Sequence, residues 1–364
     1  MKITVDIGHP AHVHYFKNLV WKMRERGHEF LIIARDRDPI FSLLNVYNLE
    51  YTNRGTGHSS LLGKILYLPK AEHLIYKMAK EFKSDIFISF GSIYAAHISR
   101  LLRKPHISFY DAELSKTFWL SYLPFTNIIC TPTQFKKELG KKHLRFKGFM
   151  ELSYLHPNHF NPDISVLNEL GIRKEEKYVI VRFVAFRAFH DIGIHGFTME
   201  NKIATAERLS KHAKVFVSSE KELPHPLEKF KFPLAPARLH DALYYASLYF
   251  GDSGTTTTEA ACLGTPAIRC DAFANSPQER ANFIELEKKY RLLFNFHVKN
   301  QEKAIDKAIE LIQCEGLKEE WMKRRENLLK DKIDVTAFMI WLIENYPKSF
   351  SLIKENPNYQ EKFK

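Results

Sequence analysis

Short apolar runs alternate with amphipathic stretches along the first 150 residues, and this alternation constrains the fold more than any other feature of the chain. Residues 3–7 and 30–34 are apolar runs of strand length. Between them, four apolar side chains recur at helical spacing: Phe16, Leu19, Val20 and Met23. Further apolar runs follow at 85–90, 106–110 and 127–131. Strands that alternate with helices form βαβ units, so the pattern predicts a parallel sheet.

The same alternation restarts after a polar joint at 155–165 that is rich in proline and asparagine. Four more apolar runs follow it, at 178–183, 215–218, 248–251 and 267–269. The sequence therefore predicts an α/β protein with two consecutive parallel-sheet domains, over 1–160 and 161–330. A terminal helix over 331–346 carries apolar side chains at helical spacing behind Asp334, a possible cap. Such an apolar helix must pack on something, and we expect that it crosses back to the first domain.

Composition excludes several classes of protein. The 364 residues contain only four cysteines, widely spaced and without a CxxC pair, which argues against a disulfide framework or a cysteine-rich zinc module and favours a reducing compartment. No apolar stretch approaches the roughly 18–20 residues that span a bilayer. The first strand meets Asp6 and Gly8 too early for the apolar core of a leader peptide. We therefore expect a cytoplasmic protein.

The chain is basic, with 54 Lys+Arg against 42 Asp+Glu and a formal charge of +12. This excess favours anionic partners, whether nucleic acid, a phosphorylated small molecule or an acidic membrane surface. The basic residues are dispersed and match no RRM, KH or zinc-finger pattern. No nucleic-acid partner is therefore expected.

The segment from Leu248 to Gly264 carries the strongest ligand-binding pattern. An apolar strand runs into two glycines, and four consecutive threonines then open a helix. Glycine lets a backbone approach a ligand closely, and the N–H groups and dipole of a helix N-terminus attract phosphate. We predict a diphosphate site with a ribose-binding carboxylate one turn further on, formed by Ser253, Gly254, Thr255, Thr256 and Glu259. The alternative is a capping box of Thr256 and Glu259, which needs no ligand.

A second candidate site follows the first strand, where Gly8 and three histidines open a helix: His9, His12 and His14. Imidazole titrates near neutral pH, so His12 is a candidate general base, and we assign Gly8 and His9 to substrate binding. The alternatives are a metal cluster and polar helix caps. Because no cysteine or second carboxylate completes a ligand set, no metal site is predicted.

Two further groups follow strands and so belong to the same edges of the predicted sheets. Arg182 lies at the end of the strand at 178–183 and Arg187 follows it, and guanidinium groups bind diphosphate or carboxylate in a bidentate manner. The alternative for this segment is a surface loop, and the spacing of its histidines and Asp191 is too unspecific for a metal site. Asp111 and Glu113 follow the strand at 106–110 and are candidate bases or, alternatively, helix caps.

These motifs resemble those of the GT-B glycosyltransferase superfamily. Gly8-His9-Pro10-Ala11-His12 looks like its first-domain loop, and residues 251–254 with 259–268 look like its nucleotide-sugar signature. The second motif is equally similar to that of the non-hydrolysing UDP-N-acetylglucosamine 2-epimerases. Over roughly residues 1–346, the chain most resembles an uncharacterised archaeal and bacterial family, a domain of unknown function with a GT-B-like fold.

The resemblance implies two Rossmann-like domains that face each other across a cleft, with the acceptor on the first and the donor nucleotide on the second. It places Ser253, Gly254, Thr255 and Arg182 at the diphosphate and Glu259 at the ribose. Gln278 and Glu279 lie in the segment that touches the sugar, and His12 matches the histidine of the first loop. Three departures weaken the likeness to the epimerases: Thr255 replaces their second glycine, residues 275–279 replace their Thr-Glu-Arg-Pro-Glu, and His9 or Pro10 replaces a loop arginine.

The leading hypothesis is a glycosyltransferase of glycan or cell-envelope biosynthesis that takes a nucleotide-diphosphate sugar, a UDP-sugar in the first place, without a cofactor. His12, Asp111 or Glu113 would deprotonate the acceptor, an unidentified glycan or lipid-linked molecule. Peripheral contact with an anionic membrane is a hypothesis for two segments: residues 61–68 with Lys64, and the aromatic segment that contains Trp119, Tyr122, Leu123 and Phe125 beside Lys116. The alternative is that the aromatic side chains belong to the core. The alternatives are a 2-epimerase and a non-catalytic protein that binds nucleotides or nucleic acid.

Overall fold

Two parallel sheets organise the chain, which confirms the predicted α/β class. The computed structural model describes residues 1–57, 61–112, 116–173, 175–183, 197–219, 222–277 and 279–364. The chain forms two units: Met1–His159 together with Lys332–Lys364, and Phe160–Asp331.

The first unit contains a seven-stranded sheet in the order β3-β2-β1-β4-β5-β6-β7, in which every pair is parallel. Its strands are β1 (Lys2–Ile7), β2 (Glu29–Asp36), β3 (Thr52–Thr56), β4 (Ile86–Phe90), β5 (His106–Phe109), β6 (Ile128–Pro132) and β7 (His143–Phe146). The helices that connect them are α1 (Pro10–Glu25), α2 (Ile40–Val46), α3 (Leu61–Phe82), α4 (Ile93–Leu101), α5 (Lys116–Tyr122) and α6 (Leu152–Leu155). The central strands are buried on both faces because helices cover the sheet.

The second unit contains a five-stranded parallel sheet in the order β12-β11-β10-β8-β9. Its strands are β8 (Tyr178–Arg182), β9 (Lys214–Ser218), β10 (Leu248–Gly251), β11 (Ala267–Asp271) and β12 (Leu293–His297). Its helices are α7 (Ser165–Glu169), α8 (Met199–Leu209), α9 (His225–Glu228), α10 (Leu239–Tyr245), α11 (Gly254–Leu263), α12 (Ala281–Lys288), α13 (Gln301–Gln313) and α14 (Leu317–Asp331).

The chain then contributes α15 (Val335–Glu344) and α16 (Lys348–Glu355) to the first unit. Asp334 caps α15 by accepting from the Ala337 N–H at 2.9 Å. It also accepts from His159 Nε2 at 2.7 Å. Burial opposes the ionisation of Asp334, but these hydrogen bonds outweigh burial and lower its pKa to about 2. The ionised cap thus fixes the start of a helix whose apolar side chains are buried.

In each sheet the strand order reverses once, between β1 and β4 in the first and between β8 and β10 in the second. The chain that leaves one of the two strands at such a point crosses to one face of the sheet, and the chain that leaves the other strand crosses to the opposite face. The two loops therefore move apart beyond the carboxyl ends of these strands. Ligands of open α/β sheets bind in the crevice that this separation leaves. The loops after these four strands therefore determine where each unit can bind a ligand.

The aromatic segment that was expected at a membrane surface is partly core. Trp119 and Tyr122 are buried, and the Trp119 ring packs against those of Tyr110 and Phe135. The expectation is wrong for these two residues, because their rings fill the space between α4, α5 and β6. Within the described ranges, no helix combines the length and hydropathy that a membrane span requires.

His106 should make the stability of the first unit depend on pH. Its ring is fully buried, and its Nε2 is 2.8 Å from Ser89 Oγ. Burial lowers the pKa of this ring to about 3. In the unfolded chain the histidine takes up a proton near pH 6.5, so acid favours unfolding over this window. Through His106, the free energy of unfolding of the wild type should fall by about 2 kcal/mol between pH 7 and pH 5. We expect urea unfolding of His106→Gln to lack this part of the fall.

The exposed His212 provides the matched control, and His212→Gln should leave the pH dependence of the wild type unchanged. An equal loss of stability in wild type and His106→Gln would show that His106 does not resist protonation in the folded state.

Candidate functional site

The second unit brings the ends of β8 and β10 into direct backbone contact at the point where its strand order reverses. A Cβ built on Gly251 would collide with the carbonyl oxygen of Arg182, so only glycine allows the β10 chain to pass there. The same carbonyl accepts a hydrogen bond from the Asp252 N–H at 3.2 Å. This contact fixes the start of the loop that leads into α11.

Ser253, rather than Thr256, is the N-cap of α11. Its hydroxyl oxygen accepts from the Thr256 N–H at 3.4 Å, and the hydroxyls of Thr257 and Thr258 donate back to helix carbonyls. The capping box of Thr256 and Glu259 therefore does not form. Gly254 and Thr255 occupy the first turn, where no preceding helical turn supplies acceptors for backbone N–H groups, and both residues are partly exposed.

Glu259 lies one turn into α11 and is 4% exposed. Its Oε1 is 3.0 Å from Nε2 of His240 on α10, a residue that is equally buried. The His240 imidazole thus holds Glu259, the carboxylate that is predicted to bind ribose, in place. Sequence reasoning missed His240, because nothing in its local pattern distinguishes it from the other histidines.

Arg182 ends β8 and donates from Nη1 to Ser218 Oγ at 2.7 Å, which joins the ends of β8 and β9. Lys202 of α8 is 3% exposed, with Nζ 5.5 Å from the centre of the Phe183 ring. Burial lowers the pKa of Lys202, and the charge of Asp252 opposes that change. Two basic groups therefore lie near one carboxylate at this edge of the sheet, and the sequence analysis had singled out only the first.

Glu279 is buried and both of its carboxylate oxygens accept hydrogen bonds within the unit. Oε1 accepts from Arg269 Nη1 at 2.8 Å, and Oε2 accepts from the Asn275 N–H at 2.9 Å. The Arg269 guanidinium stacks on Phe283 at 3.8 Å, and Phe283 Cζ would lie 3.1 Å from a Cβ on Gly254. Glu279 therefore supports the first turn of α11 from behind, through Arg269 and Phe283.

In the first unit, the loop after β1 is held by two imidazole rings that accept backbone hydrogen bonds. His9 caps α1 by accepting from the Ala11 N–H at Nδ1, and His12 Nδ1 accepts from the Gly8 N–H at 3.3 Å. This network assigns the proton of the neutral His12 ring to Nε2. His12 is therefore a hydrogen-bond donor in this arrangement and would accept a proton at Nε2 only after a change of tautomer.

The His12 ring lies between Tyr15 and Phe90, with ring centres 6.2 and 5.0 Å away. Burial lowers its pKa well below the usual value, and the charges of Arg54 and Arg37 act in the same direction. At neutral pH the ring is accordingly uncharged.

The reversal point of the first sheet also contains a buried polar group that the sequence analysis did not predict. The Ser92 hydroxyl caps α4 by accepting from the Ala95 N–H at 3.1 Å and donates to Asp6 Oδ2. Asp6 Oδ1 lies 3.3 Å from Nε of the buried Arg54. Ser92 was detectable, because a glycine and a serine between a strand and a helix repeat the pattern at Gly251–Ser253.

Of the remaining predicted residues, the structure describes Asp111. Asp111 follows β5, which is separated from β1 by β4 in the sheet. Glu113, Arg187 and Gln278 lie outside the described residues. In the part of the chain that is described, no set of three or more histidine, cysteine or carboxylate side chains is arranged to hold a metal ion.

Solved structures with a similar fold include UDP-GlcNAc 2-epimerases and glycosyltransferases. The UDP-GlcNAc 2-epimerase of Neisseria meningitidis, solved with bound UDP-GlcNAc, has a TM-score of 0.64 and 12% identity, over 95% of this chain and 100% of its own. A putative UDP-N-acetylglucosamine 2-epimerase of Listeria monocytogenes has a TM-score of 0.62 and 13% identity, over 91% and 95%. The glycosyltransferase VinC, solved with dTDP, has a TM-score of 0.61 and 12% identity, over 94% and 99%. At these identities the likeness shows the fold alone, one that glycosyltransferases and 2-epimerases share.

The sequence comparisons identify the family. An uncharacterized protein of Methanocaldococcus jannaschii is 22% identical over 283 residues, which are 74% of this chain and 82% of the relative. The model of the family described as "Protein of unknown function (DUF354)" matches residues 1–292. The chain therefore belongs to the DUF354 family, whose fold is that of the GT-B glycosyltransferases and UDP-GlcNAc 2-epimerases.

Proposed function

We propose that this protein is a glycosyltransferase whose donor is a UDP-sugar. The observation that carries the proposal is the first turn of α11 at the reversal point of the second sheet. There Gly251 allows the strand ends to meet, and the helix begins at Gly254 and Thr255, whose backbone N–H groups lie in its first turn. Such an arrangement binds a diphosphate through N–H groups and the helix dipole. Proteins of the same fold have been solved with UDP, UDP-GlcNAc and dTDP.

Charge explains how this site would assist transfer. When the glycosidic bond to the donor breaks, the leaving nucleoside diphosphate gains negative charge. The N-terminus of α11 and the Arg182 guanidinium would stabilise that charge as it develops, and Lys202 adds a second positive group nearby. Glu259, held by His240, would accept hydrogen bonds from the ribose hydroxyls.

Transfer also requires a base for the acceptor hydroxyl. His12 is uncharged at neutral pH and is a candidate once its proton moves from Nε2 to Nδ1, a tautomer change that gives up the hydrogen bond from the Gly8 N–H. Asp111 and Glu113 are the other candidates. The acceptor, a glycan or lipid-linked molecule, would belong to the first unit.

A second candidate function, 2-epimerisation of UDP-N-acetylglucosamine, rests on the same fold. The 2-epimerases of Neisseria meningitidis and Methanocaldococcus jannaschii align with TM-scores of 0.64 and 0.59, on either side of the 0.61 of VinC. The two functions share a donor site and differ in their products.

Arg182 provides the first test. Replacing its guanidinium by a neutral amide in Arg182→Gln removes a charge-assisted contact to the diphosphate, and we expect UDP to bind about 10- to 100-fold more weakly in calorimetric titration. Arg208→Gln is the matched control, because Arg208 lies on the outer face of α8 and pairs with Glu302 and Asp306. Unchanged UDP affinity in Arg182→Gln would contradict the assignment of the diphosphate to this edge.

The products of an acceptor-free incubation separate the two functions. A transferase needs an acceptor, so UDP-N-acetylglucosamine incubated with the protein alone should keep its configuration at C2, as followed by proton NMR. Accumulation of the 2-epimer would reject glycosyl transfer as the primary activity and establish the epimerase. A heat-inactivated sample controls for spontaneous change.

A further inference from the structure

We propose that the first unit contains its own binding site for a phosphoryl group, formed by Arg35 and Arg54 at the carboxyl ends of β2 and β3. The site is separate from the diphosphate loop of the second unit. It does not depend on the proposed function, but if that function holds, the acceptor is a phosphorylated molecule.

Arg54 is a buried cation whose hydrogen bonds are incomplete. The residue is 5% exposed, and its guanidinium lies 4.4 Å from the centre of the Tyr94 ring. Asp6 Oδ1 is 3.3 Å from Nε, yet among the described residues neither Nε nor Nη1 has a hydrogen-bond acceptor. Buried N–H groups without acceptors are costly, so this guanidinium is suited to a ligand that brings acceptor oxygens.

Arg35 supplies a second guanidinium from β2, the strand that pairs with β3, on which Arg54 lies. The pairing of β2 with β3 shifts register between Ala34 and Asp36, at Arg35. Its Nε is also buried without an acceptor among the described residues, and a Cβ on Gly57 would collide with its guanidinium. Burial raises the pKa of Tyr67, and the charges of Arg54 and Arg35 both oppose this rise. Both cations therefore lie near the same phenol group.

The charge of this pair is only partly balanced. Asp6 is the carboxylate that contacts Arg54, and the described residues include no carboxylate within 4 Å of the Arg35 guanidinium. Arg54 is buried and Arg35 half-buried, so their like charges repel each other with little screening by water. A bound oxyanion would reduce that repulsion while it fills the open hydrogen bonds. Guanidinium groups present paired N–H donors whose spacing matches phosphate oxygens.

The pair also lies beside the start of α1, where an anion is favoured. Arg54 Nη2 would be 3.6 Å from a Cβ on Gly8, the residue after β1 that precedes the N-cap His9. The first turn of α1 contains no acidic side chain that would compete for the positive end of the helix dipole. Arg37 is exposed, and its charge reaches His12 in that turn. A phosphoryl group at Arg35 and Arg54 would thus be next to the loop predicted to bind the acceptor.

Titration of the whole protein with inorganic phosphate tests the site, with chloride added to hold the ionic strength constant. We expect saturable binding in the calorimeter and an apparent Kd that rises at least about tenfold in Arg35→Gln and in Arg54→Gln. Arg100→Gln is the matched control, because Arg100 is an exposed arginine at the end of α4 in the same unit. Arg182→Gln should keep the Arg35-dependent binding, because that residue belongs to the other unit.

The source of the phosphoryl group is identified by two further probes. Glycerol 3-phosphate represents a soluble phosphomonoester, and vesicles that contain phosphatidic acid represent a lipid-borne one. Binding of either that is lost in Arg35→Gln supports the site and shows which source fits it.

Absence of saturable phosphate binding in the wild type would overturn the inference, as would equal affinities in wild type and Arg35→Gln. If Arg54→Gln does not fold because Asp6 has lost its ion-pair partner, the Arg35→Gln variant alone tests the inference. UDP titration of Arg35→Gln separates this proposal from the proposed function: normal UDP binding with no phosphate site would reject only the inference made here.

Discussion

The contact between Gly251 and the carbonyl of Arg182 is the constraint on which the rest of the second unit depends. It occurs where the strand order reverses, so the chain leaves β10 beside the end of β8 and turns directly into α11. A side chain at position 251 would separate these strand ends and move the first turn of α11. The cap of Ser253, the pair of Glu259 with His240 and the support from Phe283 all hold that turn in place.

The first unit uses the same construction with a different chemical outcome. Its reversal point also has a glycine and a serine cap between one strand and the next helix, with Gly91 after β4 and Ser92 at the start of α4. Buried beneath the loop, however, is the ion pair of Asp6 with Arg54 in place of a carboxylate–imidazole pair. The two sites that we propose differ accordingly: the first turn of α11 would bind a nucleotide diphosphate, and Arg35 with the buried Arg54 would bind an oxyanion.

Local patterns predicted the parallel sheets and the position of the main loop, because strand and helix periodicity and glycine placement are properties of neighbouring residues. They did not reveal Arg54, Lys202 or His240, since each gains its role from residues distant in sequence that the sheets bring close. Trp119 and Tyr122 show the reverse error: an aromatic segment resembled a surface anchor, but packing made it core. Capping was also assigned to the wrong residue, because Ser253 and Thr256 both fit the cap pattern and only the backbone geometry decides between them.

The central claim is that a nucleotide diphosphate binds at the first turn of α11. Hydrogen exchange followed by mass spectrometry, with and without saturating UDP, tests it directly. The account predicts that UDP slows exchange within the segment 252–257, because the N–H groups of Gly254 and Thr255 would donate to the diphosphate. Protection confined to other segments, with unchanged exchange at 252–257, would contradict it.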